Sequence, residues 1–376
     1  MNKKIALGQF YTPPSISLSM VTIALKLLGF HPSNAIELAA GYGDLIHPLK
    51  IKVPSCNITA VDIDSKNAMH LKNNMHYQVY NKDSMSALDF LDGTKFDLAL
   101  GNPPFLSNIN VNDTIKKILK DYLNLNYKIG SGVRAELVFI SQYISLLVDN
   151  GILAIIFPDS LISGINNTSF RKSLLEMWEI EKIIEIKGAP FEFTEAKTHI
   201  VYVRKCKPNS KKIRMFSMDQ NGKCSKGIKI QRDMLIDRMD YSYFKNNCYN
   251  SGRNRVLGDF ASIKRGRKTH KALIVEGGEY LHSTHVNKYK EFSPILESQL
   301  YLCRVGARIV GKSFLYCGTP LEFTDCLYHI DFYDSEVKKD FYSYINTEEG
   351  FNKLKSIARG VCSKYLTVKD LKEFKF

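Results

Sequence analysis

The chain has 376 residues, 44% of them apolar and 24% charged, with a formal net charge of +14. That length exceeds one ordinary core and predicts two domains. The composition is that of a soluble globular protein, and neither a membrane span nor a leader is expected: no apolar run is long enough to cross a bilayer, and the first residues are neither Arg-rich nor followed by a small-residue cleavage site.

The charge is unevenly placed. Residues 1–200 hold 19 Lys+Arg against 19 Asp+Glu, and residues 201–376 hold 33 against 19, so all of the +14 lies beyond residue 200. A basic module joined to a neutral one predicts a polyanionic partner for the basic part. The eight cysteines are scattered without a CxxC pair. They read as reduced thiols of a cytosolic protein, with no metal site and no disulfide.

In chain order, Ala35–Leu38 is a short apolar run ending in a glycine-bearing turn, and Ile58–Val61 is a β-branched run ending in Asp62. A third strand is predicted at Tyr77–Tyr80. A fourth, Phe96–Leu100, runs into Gly101-Asn102-Pro103-Pro104. Ala135–Val148 has apolar residues at helical spacing, and Gly151–Phe157 is a continuous apolar strand. Ile180–Ile186 and Thr198–Val203 are two further strands. Strands alternating with helices, and apolar throughout, predict a mostly parallel sheet covered on both faces. The pattern breaks in the Lys/Arg cluster at 204–214, around Pro208-Asn209-Ser210. The first domain is therefore expected to span 1–205, a linker or the start of the second 206–256, and the second domain 257–376. Residues 340–358 and 367–374 are predicted helical.

Glu37-Leu38-Ala39-Ala40-Gly41-Tyr42-Gly43 follows the first strand, and its glycines let backbone N–H groups approach a ligand closely. Asp62, with Ile63 beside it, ends the second strand, where a carboxylate can accept hydrogen bonds from ribose hydroxyls. Asp83, with Ser84, follows the third and is placed to face an adenine amino group. Asp64 and Asp83 can equally be read as solvated loop carboxylates. These turns lie at the carboxyl ends of the strands, where open α/β sheets bind ligands. The absence of GxxxxGK[ST] argues against a P-loop NTPase.

In Asn102-Pro103-Pro104-Phe105, two prolines fix φ and remove two donors. The loop is left rigid and rich in acceptors, the Asn102 carboxamide oxygen and the Pro103 carbonyl, with a flat apolar face at Phe105. Here the chain resembles the gamma-class amino-methylating DNA methyltransferases of restriction-modification systems, whose signature is Asn-Pro-Pro-Tyr/Phe. Gly8-Gln9-Phe10-Tyr11-Thr12-Pro13 matches the family's N-terminal motif that helps hold the methionine part of the cofactor. Glu37 to Gly43 matches the D/E-x-x-x-G-x-G loop, and Asp62 the ribose-binding acid. Phe191-Glu192-Phe193 and Ala196 to Val203 resemble the later motif whose aromatic residue packs on the target base; Phe193 is favoured over Phe191. The resemblance covers roughly residues 3–205. Two departures stand out: Glu37-Leu38 in place of Asp-Pro, and Asp44 after the second glycine.

The resemblance implies a Rossmann-like class I methyltransferase domain with a mostly parallel seven-stranded sheet, and a smaller α+β target-recognition domain. It implies S-adenosylmethionine as cofactor, held by Phe10, Tyr11, Thr12, Pro13, Glu37, Ala39, Gly41, Gly43, Asp62, Ile63, Asp83, Ser84 and Asn102. It implies N6 methylation of a flipped adenine in double-stranded DNA by Asn102, Pro103, Pro104, Phe105 and Phe193.

Residues 257–376 resemble one target-recognition half of a Type I specificity subunit. The match runs through Leu257-Gly258-Asp259, Ile263-Lys264-Arg265-Gly266, Tyr280-Leu281-His282-Ser283, Arg304-Val305-Gly306 and Arg359 to Leu366. Lys264, Arg265, Arg267, Lys268 and Lys271 form a dense basic run suited to phosphate contact, against the alternative of a solvated basic loop. His282 and His285 read as loop polar groups rather than metal ligands. Methylation of cytosine N4, of RNA or of a protein glutamine, and a non-catalytic specificity subunit, are the competing readings. No nuclease signature is evident, and cleavage in a restriction system is expected to reside on a separate subunit. The expected location is the prokaryotic cytosol.

Overall fold

The computed structural model describes residues 12–75, 77–188, 197–248, 254–289, 294–360 and 363–376. The chain divides into two compact units, Met1–Tyr241 and Ser242–Phe376.

Unit 1 begins with helix α1 (Pro14–Leu28), closed by Gly29 at φ 85°. Then follow β1 (Asn34–Leu38), α2 (Ile46–Lys52), β2 (Asn57–Asp62), α3 (Ser65–Met75), β3 (Gln78–Asn81) and β4 (Phe96–Gly101). After these come α4 (Asp113–Leu123), α5 (Ala135–Leu146), β5 (Leu147–Pro158), α6 (Thr168–Met177), β6 (Glu179–Ile186), β7 (Thr198–Arg204), β8 (Lys212–Met218) and β9 (Ile228–Gln231). The strands form one sheet in the order β9-β8-β6-β7-β5-β4-β1-β2-β3. β3, β2, β1, β4 and β5 run parallel, and β7 runs antiparallel between β5 and β6. Residues Ile152 to Phe157 are all fully buried, because helices cover both faces and leave no strand side for water. Among them α1 packs on β4 and β5.

The sheet departs from the expected seven strands. β8 pairs parallel with β6 from Arg214↔Lys182 to Met218↔Ile186, and β9 pairs antiparallel with β8. The segment 206–241, expected as a linker, is therefore part of unit 1. Arginines hold it there. Arg232 donates to Leu175 O (2.9 Å), Trp178 O (3.3 Å) and the Glu179 carboxylate (2.6 Å). Arg171, fully buried on α6, donates to Ile236 O (2.9 Å) and Asp237 O (2.6 Å). The charge divides differently in consequence. Unit 1 holds 30 Lys+Arg against 23 Asp+Glu and unit 2 holds 22 against 15, so each carries +7. Part of the basic excess beyond residue 200 thus serves internal hydrogen bonding.

Unit 2 is built on β10 (Ala261–Arg265), α7 (His270–Glu276), β11 (Gln299–Cys303), β12 (Ser313–Tyr316), β13 (Leu327–Phe332), α8 (Ser335–Ile345), α9 (Glu348–Ser356) and α10 (Val368–Lys372). Its four-stranded sheet has the order β10-β13-β11-β12, with every neighbour antiparallel. Leu300, Leu302 and Ile330 of the sheet pack with Phe341, Ile345, Leu354, Leu371 and Phe374 from the helices. The helix predicted at 340–358 is two helices. Thr347 caps α9 by accepting from Gly350 N at 3.0 Å, which ends α8 one residue earlier at Asn346. Among the described residues no helix is long and apolar enough to cross a membrane.

Candidate active site

The sheet forks where its strand order reverses. β1 pairs with β4 only as far as Glu37↔Leu100, while Leu38 stays with Val61 of β2 and Gly101 stays with Ile155 of β5. Between the two arms lies an open cleft. This is the position at which open α/β sheets take ligands.

The cleft brings together Thr12, Glu37, Ala39, Gly41, Asp62, Ile63, Asp83, Ser84 and Asn102, all expected at the cofactor, and Pro104 of the acceptor loop. Ala40, Asp44, Leu45, Met85, Leu106 and Phe139 line it as well. None of these six was singled out for the site from sequence, although the departure at Asp44 was visible there. Phe139 arrives from α5, far along the chain, without any local signal.

The loop after β1 turns through positive φ at Ala39 (60°), Gly41 (55°) and Gly43 (86°). A Cβ on Gly43 would stand 2.9 Å from Leu71 Cδ2, so this glycine serves close packing on α3 and does not line the cleft. Asp62 is almost wholly buried and holds the loop. Its Oδ2 accepts from Gly41 N at 2.7 Å, and its Oδ1 from Asp64 N at 2.7 Å and Asn67 Nδ2 at 3.3 Å. A carboxylate has about four acceptor sites, so Asp62 retains capacity for a ligand hydroxyl.

Glu37 is 3% exposed, and its Oε2 has no hydrogen-bond partner among the described residues. Burial lifts its carboxyl well above the usual carboxylate range, and Asp44 and Asp62 add repulsion, while the Ile46 backbone N–H opposes the shift. Burial also raises Asp44, against a hydrogen bond from the Thr12 backbone, and raises Asp62. Four carboxylates line the cleft, Glu37, Asp44, Asp62 and Asp83, with no ion pair to any of them among the described residues, and a cationic ligand answers that deficit. Thr12 links the parts: its backbone N–H reaches Asp44, and its hydroxyl accepts from Asn102 Nδ2 at 3.1 Å.

Other expected site residues lie elsewhere. Pro13 is the N-cap of α1, Pro103 is buried outside the cleft lining, and Phe105 packs against the main core. Phe10, Tyr11, Phe191 and Phe193 fall outside the described residues. In unit 2 the basic run does not make one patch. Lys264 and Arg265 are consecutive on edge strand β10, so they point to opposite faces. Lys264 lies 3.8 Å from Asp331 and Arg265 3.4 Å from Asp325, while Lys268 meets Glu276 at 2.7 Å and Glu322 at 2.9 Å. Arg267 and Lys271 are exposed. His282 Nδ1 bonds Thr324 Oγ1 at 2.9 Å and its ring stacks on His270; among the described residues no group of three His, Cys, Asp or Glu could hold a metal ion.

The strand order with β7 reversed between β5 and β6, together with the cleft at the β1/β4 fork, defines a class I methyltransferase domain. Residues 12–191 match the Eco57I restriction-modification methylase family. The chain is 30% identical over 183 residues to the Type II methyltransferase M.HincII of Haemophilus influenzae, covering 49% of this chain and 34% of that protein. It is 30% identical over 185 residues to the modification methylase CviBIII of Paramecium bursaria Chlorella virus NC1A, covering 46% and 43%. The chain thus spans under half the length of these relatives. In fold it is similar to the type IIG restriction endonuclease BpuSI (TM-score 0.56, 13% identity, 98% of this chain and 59% of that chain). It is also similar to the Type IIL restriction-modification enzyme MmeI, solved in complex with DNA (TM-score 0.51, 11% identity, 96% and 64%). Both alignments extend over unit 2.

Proposed function

We propose that the chain is an S-adenosylmethionine-dependent DNA methyltransferase that methylates the N6 amino group of a flipped adenine within a restriction-modification system. The observation that carries this reading is the position of Asn102. It leaves the end of β4 into two prolines, lines the acid-walled cleft, and is tied through Thr12 to Asp44.

S-adenosylmethionine fits the cleft because its sulfonium and ammonium outnumber its one carboxylate, and the buried Glu37 and Asp62 with the half-buried Asp44 favour such a net cation. When bound, it supplies an electrophilic methyl group. Asp62 and Asp83 are suited to its hydroxyl and amino donors, and Glu37 and Asp44 to its positive charge. Asn102 and the Pro103 carbonyl do the remaining work. An adenine amino nitrogen is a poor nucleophile because its lone pair is delocalised into the ring. Two acceptors on its hydrogens draw it toward tetrahedral geometry and aim the lone pair, a preorganised stabilisation of the transition state. The carboxamide is no base, so the proton leaves to water after transfer. The base must be flipped out of the duplex at a cost of a few kcal/mol.

The test is incubation with plasmid DNA and S-adenosylmethionine, followed by sequencing that maps methylated bases. Methyl groups on adenine N6 in one sequence context are the expected result. Methylation of cytosine N4, or none while the cofactor binds, overturns the reading.

Cofactor affinity is expected to depend on pH. A cation favours ionised Glu37, whose carboxyl is raised in the free protein. Affinity is therefore full above that raised value and is lost as pH falls through it, by up to about tenfold per unit. Binding in that window releases a proton, which calorimetry in buffers of different ionisation enthalpy detects. Glu37→Gln removes both the proton release and the pH dependence.

For DNA, Arg267 and Lys271 are the members of the basic run most available to phosphate. Arg267→Gln and Lys271→Gln are each expected to lower the slope of log affinity against log salt by about 1. Lys268→Gln should lower it by less, since Lys268 is held between Glu276 and Glu322. A slope unchanged by Arg267→Gln removes that residue from the interface.

A further inference from the structure

At the fork between β1 and β4, one side chain stands in for the missing ladder. Tyr143 of α5 is fully buried. Its hydroxyl accepts from Leu38 N at 2.8 Å and donates to Leu38 O at 2.8 Å. Leu38 is the last residue of β1, one past the end of pairing with β4. The backbone groups that would have bonded the next residue of β4 thus end on a phenol. On the opposite arm, Gly101 is the last residue of β4 before Asn102. A Cβ there would lie 2.7 Å from Tyr143 Cε2, 2.8 Å from Oη and 2.9 Å from Cζ. The absent side chain of Gly101 is the space the ring occupies.

We propose that Tyr143 is a positioning residue: a wedge whose hydroxyl is bonded to the cofactor arm and whose ring bears on the acceptor arm, so that it sets the distance between the cofactor loop and Asn102. The rest of α5 supports that role. Ala135 N donates to Leu106 O at 3.0 Å, just past the acceptor loop, and Gln142 Nε2 donates to Ser86 O at 2.8 Å, beside Asp83. Phe139, one turn before Tyr143, lines the cleft. One helix therefore touches all three loops.

Each arm also has anchors of its own that do not involve Tyr143. Ala40 N donates to Val61 O at 2.9 Å and Gly41 N to Asp62, which keeps the cofactor loop on β2. Gly101 stays paired with Ile155 of β5. Losing the phenol hydroxyl therefore changes the spacing between two arms that each remain intact. That predicts a split: cofactor affinity survives and the transfer step suffers.

The inference rests on the proposed methyl transfer, and the experiment separates the two. Single-turnover methyl transfer to DNA and calorimetric S-adenosylmethionine binding are measured for the full chain and for Tyr143→Phe and Gly101→Ala. Expected is a transfer rate lower by roughly 10- to 100-fold, the scale of an ~1 Å misplacement, with the cofactor Kd within about threefold. Gly101→Ala leaves every hydrogen-bonding group present and only presses on the ring, so it carries the test even where Tyr143→Phe folds poorly. Wild-type transfer with both variants within about twofold of it overturns the wedge, as does a rate loss matched by an equal loss of cofactor affinity. Cofactor binding with no wild-type transfer to any DNA overturns the functional reading instead.

Discussion

Asn102→Ala is expected to bind S-adenosylmethionine nearly as the parent does and to lose methyl transfer by roughly 10²–10³-fold, the scale of removing one preorganised polar group from a transition state. The cofactor side of the cleft does not depend on this carboxamide. Glu37 and Asp62 are positioned by backbone N–H groups of Ile46, Gly41 and Asp64, and Asp44 by that of Thr12. What Asn102 contributes is an acceptor held in one place by the adjoining Pro103-Pro104 and by the bond from its Nδ2 to Thr12. Asn102→Asp sharpens the test, since it keeps the shape but removes the donor to Thr12 and adds a further carboxylate to a cleft already lined by Glu37, Asp44, Asp62 and Asp83. Cofactor Kd by calorimetry and transfer by radiolabelled methyl incorporation decide it. Turnover by Asn102→Ala within about tenfold of the parent would remove Asn102 from the chemistry.

A second large effect is expected far from the cleft, in unit 2. Arg359 is 1% exposed and grips Asp370 with two parallel bonds, Nε to Oδ2 at 2.8 Å and an Nη to Oδ1 at 2.7 Å. Thr367, the N-cap of α10, donates its hydroxyl to the same carboxylate at 2.7 Å and accepts from Asp370 N at 3.0 Å. Arg359 also exchanges two backbone bonds with Tyr365, each 2.8 Å. One buried ion pair therefore closes the turn that leads into the last helix. Arg359→Ala leaves the Asp370 carboxylate buried and without its cation, at a cost of about 3–5 kcal/mol. Hydrogen exchange of the α10 amides should report that loss locally, with amides of β1 and β4 in unit 1 unchanged. Replacing both partners, as in Arg359→Met with Asp370→Leu, should cost much less than either single change, because no charge is then stranded. Equal protection of α10 in Arg359→Ala and the parent would show that the pair contributes nothing.

Much of the site was legible in the residues. Proline fixes φ and removes donors wherever it stands, so the acceptor-rich character of Asn102 to Phe105 follows from the local chain alone. The glycines at 41 and 43 signal positive φ for the same local reason, and the structure has both there. The strand runs read at 35–38, 58–61, 96–100 and 151–157 were visible as apolar segments because they are largely buried, whereas the first four residues of β5, 147–150, carry partly exposed polar residues and were not read as strand. Basic residues misled where charge was read without partners. Arg232 and Arg238 are folded inward on Glu179 and Asp240, and the sheet continues through β8 and β9 past the apparent linker.

By itself, then, the sequence determined the kind of domain, the position of the acceptor loop and the acids that end β1 and β2, since each depends on residues within a few positions of one another. Only the tertiary structure decided how those pieces face. The Tyr143 hydroxyl meets Leu38 across 105 residues, and Asn102 meets Thr12 across 90. No periodicity or spacing encodes such pairings, because they arise when helices and strands are packed to density and each buried polar group is forced to find a partner. The same packing brought Asp44 and Phe139 into the cleft and split Lys264 from Arg265 across the two faces of β10.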